Sequence, residues 1–226
     1  MNDAAELLNA ISKLLGILVW PALALFALVR YGSSLKEFVA HIGEFTLKGA
    51  GFEASAKRMQ AEATAALVAA TVARPQEGTN PETTARDAQA AANAVVESIT
   101  PRSIRRAGRA TVLWVDDRPE NNNYERQALE ALGINFVIST STDDAITKLQ
   151  KQKFDVVISD MGRPPDQRAG YTLLDQMRKS KDETPFVIYA SSRAPEHVAE
   201  ARAHGAIGCT NRPNELFEYV VTALGR

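Results

Sequence analysis

"TVLWVDDRPENNN", residues 111–123, runs a strand-like apolar stretch straight into two adjacent carboxylates. Thr111–Val115 carries the β-branched Thr111, Val112 and Val115, which suit a pleated, buried position. Asp116 and Asp117 follow at once, and Pro119 turns the chain and suits the first turn of a helix. Two neighbouring anions at the end of a buried strand repel each other and lose solvation. A compensating positive charge is therefore expected opposite them.

Working outward, the same pattern repeats. TVLWV (111–115), NFVIS (135–139), FDVVIS (154–159), PFVIYA (185–190) and AIGCT (206–210) are short apolar runs. Helical stretches separate and follow them, over 120–132, 143–151, 171–179, 195–204 and 214–224. Ser141 and Asp144 form a capping-box pattern at the start of the second. Strands apolar on both faces, alternating with helices, predict a doubly wound parallel α/β sheet covered on both sides.

In such a sheet the functional crevice lies outside the carboxyl ends of the strands, where strand order reverses. Strand one ends at Asp116 and Asp117, and strand three at Asp160. With a flavodoxin-like order 2-1-3-4-5 these strands are neighbours, and the three acids converge. Three anions in one pocket need a counter-charge, and a hard divalent cation with oxygen ligands, Mg²⁺ above all, fits.

Residues 110–226 resemble the receiver domain of two-component response regulators, a chemotaxis-regulator-like fold. Asp116 and Asp117 match its acidic pair, and Asp160 in "VVISDMGRP" matches its phosphoacceptor. Gly162 matches the position whose carbonyl completes the metal site, and Gly170 and Gly205-Ala206 also fit. The resemblance implies Mg²⁺ on Asp116 (largely through water), Asp117, Asp160 and Gly162. It also implies a histidine kinase or phosphotransfer protein as phosphodonor.

The departures fall at the positions that read out phosphorylation. The strand-four hydroxyl residue corresponds to Ala190, with Ser191 one residue late and on the other face. The strand-five lysine corresponds to Arg212 in "TNRP", and the switch aromatic to Cys209. The resemblance further implies that Arg212 neutralises the phosphoryl group, with a cis Arg212–Pro213 bond aiming it at the acids. Other uses of the carboxylates fit less well. A dehalogenase-type phosphatase needs Asp-x-Asp, and a nucleotide fold needs a glycine-rich loop that "DDRPENNN" lacks. His41, His197 and His204 show no ligand or triad spacing.

The chain has 226 residues, 45% of them apolar and 23% charged, with net charge -1. No global field favours nucleic acid, and no nucleic-acid motif is visible. Cys209 is the sole cysteine, so no intrachain disulfide forms, in keeping with a reducing compartment.

Ahead of the α/β region, Leu14–Val29 is an uncharged run of sixteen residues. Extended back to Leu7, it spans roughly 34 Å as a helix, enough to cross a bilayer. This predicts a single transmembrane helix over 7–30. The basic residues after it place the rest of the chain in the cytoplasm, at the inner membrane. Residues 31–56 read as a membrane-proximal helix and hairpin, and 57–109 as alanine-rich helices and a linker. Arg102, Arg105, Arg106 and Arg109 form a basic run that reads as a solvated linker, with contact to anionic lipid or phosphate as the alternative, and Pro101 ends the helix before it.

Two functions are consistent with these residues. One is a membrane-anchored phosphorelay receiver, not otherwise an enzyme, taking a phosphoryl group on Asp160 and acting on a downstream protein. The other is a pseudo-receiver, a membrane-tethered interaction or homo-oligomerisation module that no longer switches.

Overall fold

The structure, a computed structural model, describes residues 53–73, 81–192 and 194–225. Five strands pair in parallel in the order β2-β1-β3-β4-β5: β1 (Thr111–Val115), β2 (Asn135–Ser139), β3 (Val156–Ser159), β4 (Phe186–Tyr189) and β5 (Gly208–Thr210). The helices among the described residues are α1 over 53–73, α2 (Pro81–Ser98), α3 (Pro101–Ala107), α4 (Asn123–Glu130), α5 (Thr142–Lys151), α6 (Ala169–Lys179), α7 (Pro195–Ala203) and α8 (Pro213–Gly225). A 3-10 turn, Pro119–Asn122, leads into α4. The five strand–helix units and the strand order agree with the reading of the sequence.

Alternation along each strand sends side chains to opposite faces, which sorts the helices. Val112, Trp114, Val156, Ile158, Val187 and Tyr189 pack on one side with Leu129 of α4 and Leu216, Phe217 and Val220 of α8. Leu113, Val115, Val157, Phe186, Ile188 and Cys209 pack on the other with Ala145 of α5, Leu173, Leu174 and Met177 of α6, and Ala201 of α7. Residue register then sets the site. Val115 lies opposite Ser139 of β2 and Ser159 of β3, so the residues that follow β1 and β3 emerge side by side. The order reverses between β1 and β3, where a crevice is required.

Ahead of the sheet, α1 and α2 join the same core. Ala63 and Leu67 of α1 and Ala91 and Val95 of α2 are buried in one cluster with Trp114 and Phe217. Burying a leucine or valine contributes about 2 kcal/mol, so these helices stabilise the sheet domain and are not a spacer before it. Contact with α2 on its outer side also explains why α8 is so apolar.

Two expectations change, and a third is not reached. Residues 53–56, read as the returning strand of a hairpin, are the first turn of α1. Alanine's helix propensity outweighs so short an alternation. The basic run at 102–109 is largely α3, because Pro101 both stops α2 and occupies the first turn of a new helix. Thr100 caps it, accepting from the Ser103 N–H, while the Ser103 hydroxyl accepts from the Thr100 N–H. The expected transmembrane helix over 7–30 and the rest of the 31–56 module lie outside the described residues. Among those described, no helix is long and apolar enough to cross a membrane.

Candidate functional site

Asp116, Asp117 and Asp160 meet at the carboxyl ends of β1 and β3, as their positions predicted. Each can present a ligand atom, and these atoms lie within 4.8 Å of one another. Asp116 is buried and tied down: Oδ1 accepts from the Arg118 N–H at 2.7 Å and Oδ2 from Asn122 Nδ2 at 2.5 Å. These bonds fold the turn after β1 back over the acids. Burial pushes the Asp160 carboxyl up to about 7; Arg163 opposes this, while the charges of Asp116 and Asp117 add to it. The set is all hard oxygen, and it holds charge that a cation would relieve. A Mg²⁺-type ion fits both the donor chemistry and the electrostatics.

One cation is built into the chain. Arg163 is 4% exposed, and its Nη1 forms an ion pair with Asp160 Oδ1. The same Nη1 donates to Ser159 Oγ at 2.8 Å; Nη2 donates to Thr142 Oγ1 and the Ala169 carbonyl, both at 3.0 Å. Arg163 thereby links the end of β3, the start of α5 and the start of α6. Its loop is shaped for this, with backbone bonds in both directions between Arg163 and Asp166. Sequence reasoning asked for a positive charge and supplied a metal and Arg212, missing this residue three positions from Asp160.

Glycine at 170 lets α6 approach. A Cβ there would stand 2.6 Å from the Asp160 carbonyl oxygen, and the Gly170 N–H donates to the Met161 carbonyl at 2.9 Å. Gly162 lies in the loop between β3 and α6, and a Cβ on it would come within 3.2 Å of the Gln167 carbonyl oxygen.

Arg212 does not join the acids. Its Nη2 lies 4.0 Å from Asp87 of α2, and its N–H donates to Thr210 Oγ1 at 3.0 Å. The Arg212–Pro213 bond is trans, and the cis bond among the described residues is Pro164–Pro165. The expected geometry fails because α2, packed along α8, offers Arg212 a carboxylate on the far side.

The three switch positions do come together. Ala190, Ser191 and buried Cys209 line a cavity of about 300 Å³ with Met161, Tyr171 and His197. Ala190 brings no side-chain hydrogen-bonding group. Ser191 is exposed, and its carbonyl accepts from Asn211 Nδ2 at 3.0 Å. Cys209 directs its thiol at the Ser192 carbonyl, 3.8 Å away, and burial raises its pKa.

Residues 112–221 match the family model of the response regulator receiver domain. Among solved structures, the receiver domain of a Francisella response regulator is 22% identical (TM-score 0.46), covering 51% of this chain and 96% of its own. The chemotaxis response regulator CheY4 of Vibrio cholerae is 27% identical over 50% of this chain and 98% of its own, with a TM-score of 0.45. The response regulator TrrA of Thermotoga maritima, solved with Mg²⁺ and BeF, is 20% identical over 50% and 98%, with a TM-score of 0.44. No curated protein matches the chain.

Proposed function

We propose, from a response regulator receiver domain over residues 112–221, that this chain accepts a phosphoryl group on Asp160. Mg²⁺ would be held by Asp116, Asp117, Asp160 and the Gly162 carbonyl. The donor is a histidine kinase or phosphotransfer protein, the output passes to a downstream protein, and the 7–30 segment tethers the chain to the cytoplasmic membrane. The observation that carries the reading is the convergence of three carboxylates within 4.8 Å, one of them held by a buried arginine.

Transfer needs an ionised Asp160 oxygen to attack phosphorus while the donor's P–N bond breaks and the imidazole leaves. Oδ1 accepts from Arg163, whereas Oδ2 has no hydrogen-bond donor among the described residues, so Oδ2 is the nucleophile. The attacking carboxyl has its pKa raised to about 7. The fixed positive charge of Arg163 is therefore what keeps a useful fraction ionised at neutral pH. Asp116 stays in place through Arg118 and Asn122 and holds negative charge at the metal position. When bound, the metal neutralises charge gathering on the phosphoryl oxygens.

The test is intact-mass measurement of the full-length chain after incubation with acetyl phosphate and Mg²⁺. A gain of about 80 Da, one phosphoryl group, is expected, and none for Asp160→Asn. No gain in the wild type, or a gain that survives Asp160→Asn, refutes the reading. A second reading, the non-switching pseudo-receiver, draws on Arg163 already neutralising Asp160 and on Ala190 lacking a hydroxyl. It predicts no mass gain and no Mg²⁺ binding.

A further inference from the structure

The opposite end of the sheet carries a second concentration of charge. Arg102, Arg105, Arg106 and Arg109 line an open cleft of about 690 Å³ with Ala110, Asp155, Ala223 and Leu224. Ala110 immediately precedes β1 and Asp155 immediately precedes β3, so the cleft lies at the amino ends of the strands. One strand length, about 16 Å, separates it from the acids.

The helical period of α3 forces this display. Ser103, Ile104 and Ala107 are buried, which leaves Arg102 and Arg105, with Arg109 just past the helix, facing outward. Two bland explanations for the cluster account for part of it only. The α8 carboxyl end takes one arginine, since Arg106 Nη1 donates to the Leu224 carbonyl at 2.9 Å. Asp155, the one carboxylate among the described residues that line the cleft, is engaged by the Thr111 N–H through Oδ2 at 2.8 Å. Among the described residues, Arg102, Arg105 and Arg109 have no ion-pair partner. Elsewhere Arg58, Arg86, Arg163 and Arg168 each have one.

We propose that this cleft binds clustered phosphate groups, those of an anionic lipid surface or of a soluble polyphosphate. Guanidinium forks match phosphate oxygens with paired, charge-assisted hydrogen bonds. Four of them against one engaged carboxylate call for a multivalent anion. The volume falls in the range of small-ligand sites. Among the described residues no aromatic ring lines the cleft to stack a base, and α3, seven residues long, covers only about 10 Å, too little to follow a nucleic-acid strand. Ala223 and Leu224 supply an apolar margin that suits a headgroup entering from a lipid surface.

The experiment uses full-length chain in neutral detergent micelles, with inorganic tripolyphosphate titrated by calorimetry at low salt. We expect saturable binding that weakens as salt screens it. Replacing Arg102, Arg105 and Arg109 together by Gln should reduce affinity at least about tenfold. The same three positions as Lys should fall between, because charge remains and the fork is lost. These exposed changes should leave the thermal unfolding of the chain unchanged, which separates lost binding from lost folding. A second arm adds phosphatidylglycerol to the micelles, at about one-fifth of the lipid. Competition by it assigns the site to lipid headgroups, and undiminished tripolyphosphate binding assigns it to soluble polyphosphate. Equal binding by wild type and the Gln variant, or none by either, overturns the proposal. So does binding of a single-stranded oligonucleotide or a polyglutamate peptide more than tenfold tighter than tripolyphosphate.

Discussion

Replacing Arg163 by Met removes the buried cation while keeping an unbranched side chain of similar length. The structure sets two opposing effects. The variant loses hydrogen bonds to Ser159, Thr142 and the Ala169 carbonyl, each contributing about 1 kcal/mol, and leaves Asp160 without its ion pair. Against this, it no longer buries a guanidinium whose Nε has no partner. Below pH 6 Asp160 is largely protonated in both proteins, since its carboxyl sits at about 7 with Arg163 present. There the cost should be about 1–2 kcal/mol. Above that, the variant must ionise an acid that has lost its cation or hold on to the proton. Arg163 lowers the Asp160 pKa, so the variant's pKa is higher, and the destabilisation grows by about 1.4 kcal/mol per pH unit between the two values. By pH 8.5 the total should reach about 3–4 kcal/mol, the range for breaking a buried pair. Urea unfolding followed by tryptophan fluorescence at pH 6 and 8.5, with chelator to exclude metal, measures both. A cost that is the same at the two pH values would refute the reasoning, because it would mean the guanidinium packs there without acting on the carboxylate.

The wild type should show a related dependence. Its Asp160 pKa is raised to about 7, so the metal-free protein binds a proton that the unfolded chain has released. Stability should fall as pH rises from about 4 to 7 and then level, with added Mg²⁺ restoring more stability at pH 8 than at pH 6 in thermal unfolding. Asp117→Asn should weaken Mg²⁺ binding by calorimetry and, by removing one of the charges that repel Asp160, raise metal-free stability by about 1 kcal/mol at pH 8. Gly170→Ala should destabilise by about 2 kcal/mol in denaturant unfolding despite alanine's helix propensity, since the new Cβ meets the Asp160 carbonyl oxygen at 2.6 Å. Beryllofluoride with Mg²⁺ should shift β4 and the residues after it only slightly in amide chemical shifts. Ala190→Thr, which restores a hydroxyl, should enlarge that response.

Much of the architecture was written in local pattern. The runs at 111–115 and 135–139 coincide with β1 and β2 residue for residue, because each is bounded by turn residues and rich in branched side chains. β3, β4 and β5 are shorter than their apolar runs, since Phe154, Pro185 and Ala206 lie just outside the strands, Pro185 contributing only its carbonyl, which accepts from the Val157 N–H. What local pattern could not carry was the docking of α1 and α2. Alanine-rich helices with few large apolar residues show no wide apolar stripe that names a packing partner, yet their small side chains are what lets Ala63 and Ala91 sit in the core with Leu67 and Val95. α3 was hidden for another reason. Its Pro101 serves two neighbouring helices at once, and only the first use is obvious from sequence.

The site divides in the same way. Asp116, Asp117 and Asp160 are legible because each ends an apolar run, and strand order alone brings those ends together. Arg212 was assigned by its place beside Pro213, a placement that assumes nothing else competes for its charge. Asp87, brought near by α2, does compete. Arg163 could have been found by asking which cation lies within reach of the acids along the chain, without appeal to fold. It stands three residues past Asp160 in a loop that must turn back toward α6. In a tight turn, a long side chain at that spacing reaches the residue before the turn. Charge balance is a local constraint as well as a tertiary one: Arg118 stands beside Asp117 yet meets Asp116 only through its backbone N–H, whereas the turn after Asp160 brings the Arg163 guanidinium back to the carboxylate.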